Sequence, residues 1–588
     1  MKFVAVCAVA TVIAAVQTPA GPSPYRTLND RFAAPHFSSL EAWKPRASYL
    51  REHVLASAGL LPLPEKSALR PSIFGEIRRA DYSVSKVYFE SLPGFFVTGN
   101  LYRPTGDGPF PAILSPHGHW AYGRLENTSL NSGPGRAINL ARQGLVVFTY
   151  DMVGYNDSQQ VPHTFSGPRE YLWGLSLSGL QLWNSIRAID FVEALPYVRK
   201  DSIGMTGESG GGTQTFLAAA VDPRIAVAAP VNMISLHMQG GCICENPPGL
   251  RLETTNVEIA AAIAPRPLLM VSATGDWTKD TLEVEYPAVR AIYDLFGAAD
   301  RVHAVRITAE HNYNKDSREA MYAWMARWLQ HAPADVRPQE RSFSPEAVSS
   351  LLVFFQQPLP ANAVDVAGLT DGWIAAAKRQ LANADGPAFS GALRHALGFA
   401  VDSTDSARPS DRGSDRVRTV LLGAADPALE RELTRAGLRV NVVSFTRFDE
   451  AAAGKVRHFD TYNRTAASQR VADIVSALRA HPGAALVADG DAGLAGLLAT
   501  AIVPVRLAVL GVGQFNTSTD ADYVEHLYIP GLRRAGDFQT AVAMAHGEIV
   551  VHDASPEFSV RGLRAQSSRL TASEIAALVR KGASTRRP

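Results

Sequence analysis

Gly207-Glu208-Ser209-Gly210-Gly211 carries the most definite chemistry in the chain. It follows the strand-like run Ser202 to Thr206 and opens the helical stretch Thr213 to Ala220, so its serine sits on a tight turn between strand and helix. The glycines permit the close approach and strained dihedrals of such a turn, and the N–H groups that begin the helix can stabilise negative charge beside the serine. A hydroxyl used as nucleophile needs a base to take its proton and an acid to hold that base in the right tautomer. Two later loops offer them: Asp276 in Ala273-Thr-Gly-Asp-Trp277, after the run Pro267 to Ser272, and His311 in Glu310-His-Asn-Tyr-Asn314, after Val302 to Thr308. Asp280 is a rival acid and Glu283 a weaker one, while His303 lies inside a strand pattern and is expected to be packed there. A developing oxyanion needs two N–H donors. Gly210, directly after Ser209, offers one, and His119 in the loop Pro116-His117-Gly118-His119-Trp120 is the candidate for the other. His117 is expected to hold that loop from beneath, and Trp120, Trp277 and Tyr313 are candidates to line a substrate.

Other motifs weigh less. Neither a dinucleotide fingerprint nor a Gly-Lys-Ser/Thr phosphate loop surrounds Ser209, and no cofactor or metal is expected. The three cysteines are Cys7, Cys242 and Cys244, too few for a disulfide framework. Cys242 and Cys244 form a Cys-x-Cys pair that could close a strained disulfide or bind metal, but a loop pair without catalytic role is the favoured reading.

The elements that must position these residues follow from periodicity. Apolar spacing from Ser38 to Leu61 predicts a leading helix, and Lys86 to Glu90 and Phe95 to Tyr102 a hairpin. From Phe110 to Thr308 strands and helices alternate, the signature of a mostly parallel sheet covered on both faces. Proline, alanine and serine then dominate from Leu329 to Asp365, where the alternation stops. It restarts with strand-like runs at Val417 to Gly423, Leu438 to Phe445, Ala484 to Ala488, Val505 to Gly511 and Glu548 to His552. Asp190-Phe-Val192-Glu-Ala194-Leu195 recurs as Asp473-Ile-Val475-Ser-Ala477-Leu478, and Pro248-Gly-Leu-Arg251 as Pro530-Gly-Leu-Arg533. That nearly constant register predicts a tandem duplication, with Asp491 opposite Ser209 and no catalytic function in the second copy. The expected division is a signal peptide at 1–20, a catalytic domain at 21–330, a linker at 331–365 and a degenerate domain at 366–588.

Residues 86 to 330 resemble the α/β-hydrolase superfamily, and within it the acetyl xylan esterase and dienelactone hydrolase-like group. The resemblance rests on the order Ser209, Asp276, His311, on Leu101-Tyr-Arg-Pro104 leading into the His-Gly loop, and on Tyr150-Asp151-Met-Val-Gly154. Dienelactone hydrolases proper use a cysteine nucleophile, and Ser209 departs from that. The resemblance implies metal-free acyl transfer through an acyl-enzyme, hence a serine esterase acting on small-molecule or carbohydrate esters. The alternatives are a serine peptidase of the prolyl-oligopeptidase type and a non-catalytic binding module on the same scaffold. Residues 21 to 85 are too few for the large β domain that such peptidases usually carry. With 57 basic and 56 acidic side chains the net charge is +1, which argues against a nucleic-acid partner. Lys2 followed by the apolar run Phe3 to Val16 predicts a secretory signal, hence a periplasmic or secreted protein without other membrane attachment. Oligomeric state is open.

Overall fold

Val146-Val147-Phe148-Thr149-Tyr150 is apolar or β-branched throughout and buried at every position, which suits a strand in the middle of a covered sheet. In the computed structural model, which describes residues 23–383, 387–400 and 419–582, it is β5 of nine strands. The expected signal peptide and Cys7 lie outside the described residues. The strands are β1 (Ser72–Arg78), β2 (Tyr82–Leu92), β3 (Phe95–Pro104), β4 (Phe110–Pro116), β5 (Val146–Tyr150), β6 (Val198–Glu208), β7 (Ile225–Val231), β8 (Leu268–Ala273) and β9 (Val302–Ile307). Their order across the sheet is β1-β2-β3-β5-β4-β6-β7-β8-β9. The first three form an antiparallel meander, and the strands from β5 to β9 run parallel. β1 has no apolar run and was not legible from periodicity; it is held by pairing with β2.

Side chains alternate across this sheet with the two-residue period of a strand. Ile113, Val147 and Leu269 pack with Ile138 and Met325 from helices Gly133–Arg142 and Lys315–Leu329 on one face. Leu114, Phe148 and Met270 pack with Leu180 and Phe216 from helices Leu177–Glu193 and Gly210–Val221 on the other. The leading helix, Leu40–Ser57, is capped by the Ser39 hydroxyl and adds Leu50 and Val54 to that second face. Each such side chain stabilises the fold by about 1.5–3 kcal/mol.

A second sheet is built from β10 (Thr419–Leu422), β11 (Arg439–Val442), β12 (Ala485–Ala488), β13 (Leu507–Gly511) and β14 (Glu548–His552). All pairs are parallel and the order is β11-β10-β12-β13-β14, the same sequence of crossovers as β5-β4-β6-β7-β8. The two halves dock reciprocally. Gly249 and Arg251 donate their N–H groups to the carbonyls of Asp460 (2.7 Å) and Thr461 (2.9 Å), while Gly531 and Arg533 donate theirs to Tyr171 (2.7 Å) and Leu172 (3.0 Å). Each repeated Pro-Gly-Leu-Arg segment thus grips the other half, and one apolar core runs through both. Residues 331–365, expected as a linker, are fastened to the first half. Glu340 pairs with Arg318 (2.6 Å), Glu346 with Arg79 (2.5 Å), and Asp157 accepts the N–H groups of Val353 and Phe354.

Between the halves, His53 from helix Leu40–Ser57 meets His395 from helix Pro387–Ala396, Nδ1 to Nδ1 at 3.2 Å. Burial holds both imidazoles down, His53 to about 4 and His395 to about 3. Arg46 pushes His53 further down, Tyr49 packs against both rings, and Glu52 lies 3.7 Å from His395 Nε2. Both rings are neutral in the folded protein at pH 7. Below the ordinary histidine value of 6.5 the unfolded chain takes up protons that the folded chain refuses, so stability rises with pH between about 4 and 6.5. The unfolding free energy is therefore expected to fall by about 3 kcal/mol for each ring, about 6 kcal/mol for the pair, from pH 7 to pH 4. Urea titrations at the two pH values check this, with His53→Gln expected to show a smaller fall than wild type.

Candidate active site

The turn after β6 is dictated by close approach. A Cβ at Gly207 would stand 2.5 Å from the Pro116 carbonyl at the end of β4, and one at Gly211 would meet the same oxygen at 2.5 Å. Only glycine fits either position, and the chain between them is forced to reverse tightly. Ser209 takes φ 55° and ψ −120°, a strained conformation of the kind that costs on the order of 1–3 kcal/mol. Helix Gly210–Val221 begins at the next residue and points its first N–H groups at the space above the serine.

His311 Nδ1 lies 2.8 Å from Asp276 Oδ2, and Asp276 Oδ1 accepts from the N–H (2.7 Å) and hydroxyl (2.5 Å) of Thr278. The Asp276 side chain is 3% exposed and that of His311 28%, so the carboxylate is enclosed and the imidazole is partly open to solvent. With a proton on Nδ1 shared with Asp276, Nε2 keeps its lone pair for a substrate-side proton. Asp280 and Glu283 are committed elsewhere, to Arg31 (2.5 Å) and Arg306 (2.6 Å). His303, expected to be packed, is exposed on the edge strand β9, with its ring alongside Trp324.

The base loop is drawn across the sheet towards the Ser209 turn by bonds on either side of His311. Asn232, at the end of β7, donates to the Asn312 carbonyl at 2.8 Å. Tyr313 donates its N–H to Leu130 at 2.7 Å, and its hydroxyl lies 2.6 Å from Thr206 Oγ1 on β6. Tyr313 is fully buried, with Arg136 over its ring at 4.4 Å, so it is not the substrate contact expected from its position in sequence; it anchors the loop. Trp277 stacks on His311 with ring centroids 4.6 Å apart, shielding the base rather than standing free in a pocket.

The loop after β4 passes over Ser209. A Cβ on Gly118 would lie 3.1 Å from Ser209 Cβ, and one on Gly210 would lie 2.9 Å from the His119 ring. His117 is buried, its Nδ1 2.7 Å from the Gly118 carbonyl and its Nε2 accepting the Met152 N–H at 3.0 Å. Burial pushes it down to about 3, so it is neutral and structural, as expected. Gly118 and Trp120 N–H groups are spent on Glu208 and the Gly118 carbonyl, and the His119 ring between them abuts Gly210.

Glu208 was only the variable residue of the serine motif in sequence, yet it holds this assembly. Its Oε1 accepts from Gly118 N–H (3.1 Å), Trp120 Nε1 (2.8 Å) and Asn131 Nδ2 (3.0 Å), and Arg136 lies 3.3 Å from Oε2. Trp120 is thereby tethered by its indole, half-buried at the rim. Glu208→Ala is expected to cost about 3–5 kcal/mol of stability, because Arg136 is left buried without its partner. Glu208→Gln, which keeps an acceptor for all three donors, should retain most of kcat, whereas the alanine variant lowers kcat more than it raises KM. Denaturant unfolding and steady-state kinetics of both variants check this.

The cysteine pair is not a detached loop feature. Both thiols are free, and His119, His163, Cys242 and Cys244 bring four donor atoms within 4.8 Å of one another at the edge of this site. The Cys244 thiol, His119 and His163 stabilise a Cys242 thiolate and hold its pKa far below the usual thiol range, while burial pushes Cys244 up. His163 carried no signal in sequence because its neighbours here are 44 to 81 residues away.

The sequence profile of the X-Pro dipeptidyl-peptidase (S15) family matches residues 94–378. YtaP of Bacillus subtilis (strain 168), described as a hydrolase, is 26% identical over 260 residues, 41% of this chain and 84% of that protein. Among solved structures, methylesterase BT1017 is 29% identical with a TM-score of 0.51, covering 60% of this chain and 77% of its own. An acetyl xylan esterase homologue from Bacteroides fragilis NCTC 9343 is 20% identical with a TM-score of 0.39, over 47% and 79% of the two chains. The strand order of the nine-stranded sheet, the Ser209 turn at the end of β6, the S15 profile and the likeness to methylesterase BT1017 show an α/β-hydrolase fold and a serine hydrolase of ester or peptide type.

Proposed function

We propose that the first half hydrolyses carboxylic esters through an acyl-enzyme on Ser209, with carbohydrate-linked esters as the substrate class. The observation that carries this reading is the strained Ser209 turn at the end of β6 together with His311 held 2.8 Å from a buried Asp276. His311 Nε2 takes the hydroxyl proton as Ser209 Oγ attacks the ester carbonyl, and Asp276 stabilises the imidazolium. The N–H groups of Gly210 and His119 receive the oxyanion. His311 then gives its proton to the departing alcohol, and water releases the acid by the same steps. Likeness to a methylesterase favours small alcohols as leaving groups.

The match to an X-Pro dipeptidyl-peptidase family favours a second reading, cleavage of peptides after proline. Incubating the purified chain with methyl, acetyl, feruloyl and glucuronoyl esters and with X-Pro amides separates the two: turnover of esters with X-Pro amides intact supports the first, and the reverse pattern overturns it.

In the same reading the second half is a diverged copy retained for structure. The shared strand order and the reciprocal docking support duplication, but the residue in Ser209's place is not the expected Asp491. Gly490, between β12 and helix Asp491–Ala499, has φ 58° and ψ −135°, close to the Ser209 backbone, and carries no side chain. Asp491 lies near Arg470 and His526 instead. The second half also braces the first, since Thr461 and Tyr462 hydroxyls bond Asn246 just after the Cys-x-Cys loop. Export completes this reading, and the N-terminal sequence of the mature protein tests it.

A further inference from the structure

We propose that His119, His163, Cys242 and Cys244 form a four-coordinate site for a zinc-type divalent cation, which staples together the three loops bordering the nucleophile. Their donor atoms come from the loops after β4, β5 and β7 and all lie within 4.8 Å of one another. His119 Nε2 is 3.1 Å from Cys244 Sγ, and His163 Nε2 is 3.4 Å from Cys242 Sγ. Tetrahedral zinc with Zn–S near 2.3 Å and Zn–N near 2.0–2.1 Å requires ligand-to-ligand separations of about 3.3–3.8 Å. Those two separations lie within a few tenths of an ångström of that range, and the 4.8 Å limit on the widest pair leaves about 1 Å at most for the loops to close on binding.

The surroundings are those of a built site. His163 Nδ1 lies 2.6 Å from the Val153 carbonyl, so this nitrogen carries the proton and Nε2 presents its lone pair towards Cys242. Gly154, at φ 87°, allows the chain to fold back there: a Cβ would strike the His163 backbone at 2.4 Å. Tyr155 packs edge-on against both imidazoles. Glu245 Oε2 accepts the N–H groups of Gly241 (2.8 Å) and Cys242 (2.9 Å), and buried Arg251 bonds the Glu245 carbonyl and Asn246, fixing the cysteine loop from behind.

Two thiolates and two neutral imidazoles suit zinc better than a hard cation. Binding forms two Zn–S and two Zn–N bonds, neutralises the ion with two thiolates, and releases to solvent whatever protons the ligating sulfur and nitrogen atoms carry beforehand. Four protein ligands leave no open position, so the ion acts as a clamp rather than on substrate. Its consequence is for His119, whose ring abuts Gly210: clamping the ring fixes the backbone N–H beside the oxyanion position. That consequence rests on the proposed ester chemistry; the binding of the ion does not.

The test is to strip the full-length chain with chelator under reducing conditions, add Co²⁺, and record its absorption spectrum. One cobalt per chain is expected, with an intense thiolate-to-cobalt charge-transfer band and tetrahedral d–d bands. Both should be lost in Cys242→Ser and in His163→Ala, whose folding is checked by circular dichroism and the urea unfolding midpoint. Zinc content of the untreated protein should follow the same pattern. No stoichiometric binding by the reduced wild type, or bands that persist in both variants, would overturn the site. Removing the ion should lower kcat by about 10–100-fold, the scale for groups that hold others in place around a metal; an unchanged kcat would overturn the role in holding His119. Ester turnover lost with cobalt binding intact would instead count against the proposed reaction.

Discussion

Ser209→Ala is expected to remove turnover by about 10⁵–10⁶-fold, the scale found when a serine nucleophile is deleted, while the fold stays intact. The residue sits where β6 ends in a forced reversal beneath the loop after β4, directly ahead of helix Gly210–Val221. Alanine has the same backbone preferences as serine, and the Ser209 hydroxyl makes no bond on which packing depends, so the strained turn survives the change. A fluorophosphonate should label wild type at Ser209 and leave the variant unlabelled. Labelling at another serine, or ester hydrolysis that persists in the variant, contradicts the assignment. Because Gly490 leaves the second turn without a side chain, no compensating activity is expected from the other half.

Asp276→Asn should lower kcat by about 10⁴-fold, and His311→Ala by at least as much. The asparagine keeps the shape of the carboxylate but can turn an N–H towards His311 Nδ1, which moves the ring proton to Nε2 and leaves no lone pair for the serine proton. Thr278 grips the other oxygen with two donors, so the side chain cannot rotate away to relieve this. Asp280→Asn loses only a half-exposed pair with Arg31 and should change kcat by about twofold or less, in line with the small value of such pairs. A larger effect from Asp280→Asn than from Asp276→Asn would reassign the acid. Parallel measurement of the unfolding midpoint separates loss of chemistry from loss of fold.

What the sequence determined by itself is the local part of the answer. Strand periodicity, glycines that tolerate close approach, and the short motifs around Ser209, Asp276 and His311 are each written within short windows, where side-chain type alone limits the backbone. The parallel sheet and the ends of its strands could therefore be read without coordinates, and so could the structural role of His117. Tertiary structure decided everything that depends on which loops converge. Tyr313 stands two residues from His311 and looks accessible in sequence, but the loop is pulled down by Thr206 and Leu130 and buries it. Glu208 became the anchor of the oxyanion loop because β4 and β6 are neighbours, a consequence of strand order. His163 joined His119 and the cysteines only because three loops leave the same end of the sheet. The segment after Leu329 read as a linker because its backbone is held by scattered ion pairs and carbonyls, which leave no periodic trace. In the proposed reading of the second half as a diverged copy, Gly490 and not Asp491 stands opposite Ser209, one residue off the register read from sequence. Short-range patterns are carried by covalent neighbours, whereas these contacts are set by crossover connections that bring residues tens to hundreds of positions apart onto one edge of a sheet.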